Sequence, residues 1–212
     1  MVKGIIFDMD NTLLRSTIDF ASMKRDTHRF LVSHGVLEES VELQAHTTST
    51  LIETAVQSGR MTDELLDKLW AIPKRYEVAG MQDADLEPGA RELLADLEGR
   101  CRLAIVTNNA VEAAEEALRT NRIRSHFDCL VGRETTGAIK PAPDGFLHVL
   151  RRAPQLRTEE WLSVGDAWID GLASSRAGIA FVAYQCDRAG LERHGVASIG
   201  AIEHLQELKH YL

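Results

Sequence analysis

Hydrophobic positions in this chain fall into two patterns. Short apolar runs that end abruptly in polar residues open the chain and recur over its second half. Longer amphipathic stretches fill the region between. Val2–Phe7 is apolar, β-rich and too short for a helix, which predicts a buried strand. From Ser16 to about Met81 the spacing turns helical. Ile18, Phe20, Met23, Phe30, Leu31 and Val32 mark one amphipathic segment closed near His34-Gly35. Val36 to Val56 predicts one or two helices broken by the polar run His46-Thr47-Thr48-Ser49-Thr50. Thr62 starts another helix with Leu65, Leu66, Leu69 and Trp70 on one face, and Pro73 is expected to end or kink it.

Beyond a linker at about Gln82 to Glu87 the chain alternates. Strands are expected at Arg102–Val106, Asp128–Val131, Trp161–Val164 and Ile179–Tyr184. Helices are expected from Pro88-Gly89 to Leu97, then to about Thr120, near Pro143–Arg151, at Ile169–Ala177 and over the tail Ala201–Leu212. Strand–helix alternation predicts an α/β fold, a doubly wound parallel sheet with a Rossmann-like core, carrying an inserted α-helical domain. The domain bounds are 1–15 and 84–212 for the core and 16–83 for the insert.

Composition narrows the classes. A chain of 212 residues, 44% hydrophobic, is long enough for such a core with a smaller insert. A formal charge of −8 argues against a nucleic-acid surface, which needs a basic patch. No stretch reaches the roughly 18 apolar residues of a membrane span, and the first apolar run leads straight into acids rather than a signal-peptide cleavage site. Cys101, Cys129 and Cys186 lie far apart without C-x-x-C spacing, as reduced thiols in a cytoplasmic protein would. Monomer and homodimer stay open.

The candidate chemistry follows the strands. Asp8 and Asp10 stand just past the first, one residue apart. Clustered carboxylates desolvate badly unless a cation joins them, and hard oxygen donors suit Mg²⁺. Thr107-Asn108 ends the second strand, Lys140 lies in the loop after the third, and Asp166 ends the fourth with Asp170 one helical turn on. In a parallel sheet all of these converge on one edge. Taken singly each has a plainer reading: a solvated loop for Asp8 and Asp10, helix N-terminal acids for Asp166 and Asp170, a surface lysine for Lys140, a helix cap for Thr107.

Together, Asp8-Met9-Asp10-Asn11-Thr12-Leu13, Thr107-Asn108, Lys140-Pro141-Ala142-Pro143-Asp144 and Gly165-Asp166-Ala167-Trp168-Ile169-Asp170 resemble, in order, the four motifs of the haloacid dehalogenase superfamily. The resemblance is to its Mg²⁺-dependent phosphatase branch, with the third motif in the form of phosphoglycolate-phosphatase and phosphoglucomutase relatives. It implies sheet order 5-4-1-2-3, a helical turn and flap after the first motif, and a helical C1 cap. It also implies a small phosphorylated substrate. Asp8 becomes the nucleophile and Asp10 the general acid–base. Thr107, Asn108 and Lys140 become phosphate ligands. Asp8, Asp166 and the Asp10 carbonyl hold Mg²⁺, with Asp170 orienting Asp166 or a bound water. A phosphomutase, or a non-catalytic module on the same fold, is the alternative. Asn11 replaces the Gly of many relatives, and Asn tolerates left-handed backbone angles. In the insert, His46–Thr50 and the cluster Lys24, Arg25 and His28 are candidates for a substrate-facing patch.

Overall fold

The computed structural model describes residues 1–212. The elements run β1 (Gly4–Phe7), β2 (Leu14–Arg15), α1 (Phe20–Ser33), α2 (Thr48–Gln57), α3 (Asp63–Met81), β3 (Asp85–Leu86), α4 (Ala90–Leu97) and β4 (Arg102–Val106). They continue α5 (Val111–Thr120), β5 (Cys129–Val131), α6 (Asp144–Arg152), β6 (Trp161–Gly165), α7 (Trp168–Arg176), β7 (Ala180–Tyr184), α8 (Arg188–Arg193) and β8 (Gly200–Ile202). They form two compact units, Met1–Ser16 with Asp83–Leu212, and Thr17–Gln82.

The first unit is built on a six-stranded parallel sheet ordered β5-β4-β1-β6-β7-β8. Without β8 this is the expected 5-4-1-2-3 order; β8 adds an edge strand. Ile5, Ile6 and Phe7 are wholly buried, as a central strand covered on both faces requires. Ile6, Ala104, Val106, Val131, Phe146, Val149 and Trp161 form one packed cluster against the sheet. The register pairs Phe7 with Ile105 and Val164, so Asp8, Val106 and Gly165 are level, and Asp8, Thr107 and Asp166 emerge at one edge.

After Asp8 the chain makes one tight turn, with the Met9 carbonyl accepting from Leu13 N at 3.0 Å and Leu14 N at 2.9 Å. Asn11 takes φ 55° there, which Asn tolerates. Then β2 pairs antiparallel with β3 as a short flap. Glu87 anchors its base: Arg15 Nε lies 3.4 Å from Glu87 Oε1, and Tyr184 Oη, at the end of β7, donates to Glu87 Oε2 at 3.0 Å.

The second unit is a three-helix cluster whose core is Leu31, Val36, Leu51, Ile52, Ala55 and Leu69, with Trp70 packed against it. Three expectations are corrected. Val36 to Ala45 is not α-helical and holds only a 3-10 turn at Leu43–Ala45; Val36, Leu37, Val41 and Leu43 are apolar because they cover the small core from an irregular segment. The break at His46–Thr50 is a helix start: Thr50 N donates to Thr47 Oγ1 at 3.1 Å and Thr47 N to Thr50 Oγ1 at 2.9 Å, a reciprocal capping box. Of the end or kink expected at Pro73, the end is overturned, since α3 runs through it to Met81 with Pro73 and Leu69 both buried. Burial of this face outweighs the roughly 3 kcal/mol that an interior proline costs a helix.

In the first unit the tail is also corrected. Gly200–Ile202 adds to the sheet edge, and only Leu205–Tyr211 turns helical, in 3-10 form.

Candidate active site

Each strand delivers its polar residue where the ladder stops. Asp8 N still donates to Val164 O at 2.9 Å, which fixes its backbone to the sheet while its side chain leaves it. Lys140 arrives from the loop after β5 and is 3% exposed. Its Nζ donates to Asp8 Oδ1 at 2.5 Å, Asp170 Oδ1 at 2.6 Å and Val106 O at 2.8 Å. Burial opposes the charge on Lys140, but Asp170 and Asp8 outweigh it and hold its pKa above the ordinary lysine value.

Asp166 joins this pair. Carboxylate oxygens of Asp8, Asp166 and Asp170 lie within 4.8 Å of one another. Burial, followed by repulsion from Asp8 and Asp170, pushes the Asp166 carboxyl up; burial does the same to Asp170, against the pull of Lys140. Asp170 is at the third position of α7, where its Oδ2 accepts from Ala167 N at 3.1 Å. It therefore caps its helix and pairs with Lys140 at once. Gly165 lets it approach: a Cβ there would sit 2.6 Å from the Asp170 side chain. One lysine against three carboxylates leaves the cluster short of positive charge. The donor set is all hard oxygen, which fits Mg²⁺.

Asp10 faces a different neighbour. Its Oδ2 accepts from Asn109 Nδ2 at 2.7 Å, so its side chain is held by an amide while Asp8 is held by a cation. Thr12, fully buried, points Oγ1 at Asp8 Oδ2 across a long 3.5 Å.

Thr107 is buried at the end of β4, and its Oγ1 accepts from Asn109 N at 3.2 Å. It is not the cap of the following helix. That N-cap is Ala110, and Val111 N is met by Glu134 Oε2 at 2.9 Å. Asn108 is clasped to Lys140 in both directions: Nδ2 donates to Lys140 O at 3.0 Å and Oδ1 accepts from Lys140 N at 2.9 Å. The loops after β4 and β5 are thus tied to each other by two hydrogen bonds.

Sequence reasoning gave no role to Asn109, to Arg133 or to Thr12, although Thr12 stands in the first motif. Asn109 directly follows the recognised pair Thr107-Asn108, and its type carries no charge to flag it. Arg133, 6% exposed, donates from Nη1 to Asn108 O at 3.1 Å. An arginine directly after an apolar strand run and a glycine was the available signal. Trp168, between Asp166 and Asp170, stacks on His194 with ring centroids 3.7 Å apart. The three cysteines are free, and burial raises each thiol, Cys186 to about 12, which leaves little thiolate for chemistry.

The candidate patches of the helical unit have local partners. Lys24 Nζ donates to Leu43 O at 2.8 Å and His46 O at 2.7 Å, Arg25 Nη2 to Ser22 Oγ at 2.7 Å, and the His28 ring lies 3.4 Å from Glu38 O. No helix is long and apolar enough to cross a membrane.

Comparison with known proteins agrees with this geometry. A family model described as haloacid dehalogenase-like hydrolase matches residues 5–184. A phosphoglycolate phosphatase of Vibrio vulnificus is 32% identical over 187 residues, covering 84% of this chain and 82% of its own. A phosphoglycolate phosphatase of Cereibacter sphaeroides is 27% identical, covering 98% of this chain and 96% of its own. Among solved structures, a hydrolase from Pseudomonas syringae superposes with a TM-score of 0.73 at 22% identity, covering 99% of this chain and 97% of its own.

Proposed function

The chain belongs to the haloacid dehalogenase-like hydrolase family, and from that premise we propose that it is a Mg²⁺-dependent phosphatase of a small phosphorylated metabolite. The observation that carries the reading is the different company kept by two acids one residue apart. Asp8 sits among Lys140, Asp166 and Asp170, and Asp10 is turned to the amide of Asn109. One carboxylate is set up as nucleophile and the other as acid–base.

Asp8 attacks phosphorus and forms an aspartyl-phosphate as the bond to the substrate oxygen breaks. Asp10 gives a proton to that leaving oxygen. It then takes one from the water that attacks phosphorus and frees Asp8. Thr107, the backbone amide of Asn108 and Lys140 hold the phosphoryl oxygens; Lys140 does so by turning an N–H from one of its three acceptors, and offsets part of their charge. Asp8, Asp166 and the Asp10 carbonyl would hold Mg²⁺, which when bound supplies the positive charge that lets a carboxylate meet a phosphate dianion. Asp170 acts through Lys140 and Asp166. Residues 1–15 and 84–212 form the catalytic core of this enzyme and 16–83 its cap.

Two relatives named phosphoglycolate phosphatase put phosphoglycolate first among the substrates to try, ahead of sugar phosphates and nucleoside monophosphates. The test is phosphate release from such a panel with Mg²⁺, and again with a chelator. At least one ester should be turned over with Mg²⁺ and none in chelator. No hydrolysis of any ester, or full activity in chelator, refutes the reading.

A further inference from the structure

Asn109 has no part in the mechanism above, yet the structure holds it tightly. It is 6% exposed, its Nδ2 donates to Asp10 Oδ2 at 2.7 Å, and its backbone N donates to Thr107 Oγ1 at 3.2 Å. Its carbonyl accepts from Arg133 N at 2.9 Å. The side chain of Arg133 reaches the preceding residue, donating from Nη1 to Asn108 O at 3.1 Å. Gly132 makes room for this grip, because a Cβ there would lie 2.9 Å from Asn109 O and 2.8 Å from Val111 Cγ2. The segment after β5 therefore holds Asn108 and Asn109 from the side, and the chain of bonds ends on the carboxylate of Asp10. The amide presents its nitrogen to Asp10 Oδ2, the orientation that suits a deprotonated carboxylate oxygen.

We infer that Asn109 is a positioning residue for Asp10, with Arg133 as its anchor, and that it selects the carboxyl oxygen through which the proton passes. This rests on the phosphatase reading and deepens it. An amide N–H donates best to an oxygen that carries no proton, so the transferable proton of Asp10 sits on Oδ1. In the first half-reaction the bond from phosphorus to the substrate oxygen breaks, the bond to Asp8 forms, and this proton goes to the leaving oxygen. In the second, the oxygen of water bonds to phosphorus, its proton goes to Asp10, and the bond to Asp8 breaks. Without Asn109 the carboxyl group turns more freely, and proton transfer alone suffers.

That restriction gives a readout which a general defect does not share. kcat/KM reports the steps up to phosphorylation of Asp8, and an alkyl leaving group needs the proton there while p-nitrophenolate does not. Asn109→Leu should lower kcat/KM for an alkyl phosphate by on the order of 10–100-fold and for p-nitrophenyl phosphate by less than about threefold. Asn109→Ala removes the donor without adding bulk or charge; it should show the same split should the leucine not be accommodated. Asn109→Gln, which keeps the amide, should recover part of the alkyl rate, and Arg133→Met should show a smaller split of the same sign. Circular dichroism confirms that each variant is folded. Equal losses on both leaving groups, or no loss on either, overturn the inference. The alkyl phosphate is one that the wild type turns over; a wild-type protein that hydrolyses no ester of the panel overturns the phosphatase reading beneath it, and that outcome is seen before any variant is made.

Discussion

Lys140 and Lys24 end in similar cages and do different work. Lys140 Nζ meets two carboxylates and a carbonyl, 3% exposed, at the end of four parallel strands. Lys24 Nζ meets two carbonyls, those of Leu43 and His46, on a half-buried helix face. The first cage contains more charge than its lysine can balance, and burial keeps water from making up the difference. The second ties down backbone carbonyls of an irregular segment and asks for nothing more. The threonines divide the same way. Thr107 turns back to Asn109 N within the strand-end loop, whereas Thr47 starts a helix. A polar side chain signals chemistry here where its neighbours are buried and charged beyond balance, and signals folding where they are backbone.

The largest expected effect is at Lys140. Lys140→Met leaves Asp8, Asp166 and Asp170 facing one another without a cation, so phosphatase activity should fall by on the order of 10²–10³-fold. Breaking a buried pair costs about 3–5 kcal/mol, and because Mg²⁺ would refill the charge, the lost unfolding free energy should return in part when Mg²⁺ is titrated in. Thermal unfolding with and without Mg²⁺ measures this; a loss indifferent to Mg²⁺ breaks the account of the cluster.

A smaller effect sharpens the same point. Asp166 has its folded pKa raised, by burial first and then by Asp8 and Asp170. An acid with a raised folded pKa binds more protons folded than unfolded, so its contribution is present at low pH and is lost as pH rises toward that value. In metal-free buffer, wild type should therefore lose stability relative to Asp166→Asn between pH 5 and pH 8, and Mg²⁺ should shrink the difference. Parallel pH profiles would contradict it.

The least effect is expected at the folding cages. Lys24→Met should cost about 1–2 kcal/mol of stability and Thr47→Ala about 1 kcal/mol, with p-nitrophenyl phosphate turnover changed less than about twofold. A tenfold loss of turnover at either position would erase the contrast.

The contrast also governs what the sequence reveals. β1, β4, β5 and β6 were readable because short apolar runs stop at a polar residue, and parallel pairing carries Asp8, Thr107, Lys140 and Asp166 to one edge. Asn109 and Arg133 were not, since their importance lies in whose carboxylate or carbonyl they reach, and no local pattern encodes a partner 99 or 25 residues away. In the helical unit the pattern itself misled. Val36, Leu37 and Val41 have the spacing of a helix face and pack as loop residues, and Thr47 with Thr50 makes a capping box without the usual Glu or Gln. Pro73 stays inside a helix because buried packing on both sides outweighs its missing N–H. The strand β8 is Gly200-Ala201-Ile202, with one large apolar residue, and so leaves no apolar run to read.

The central claim is that Asp8 carries the phosphoryl group and Asp10 the proton. It is tested most directly by acid-quenching the Mg²⁺ enzyme during turnover and locating phosphate by peptide mass spectrometry. The account predicts phosphate on Asp8, more of it in Asp10→Asn because the attacking water has lost its base, and none in Asp8→Asn, which should also be inactive. Phosphate on another residue, or turnover by Asp8→Asn with deamidation excluded, would contradict it.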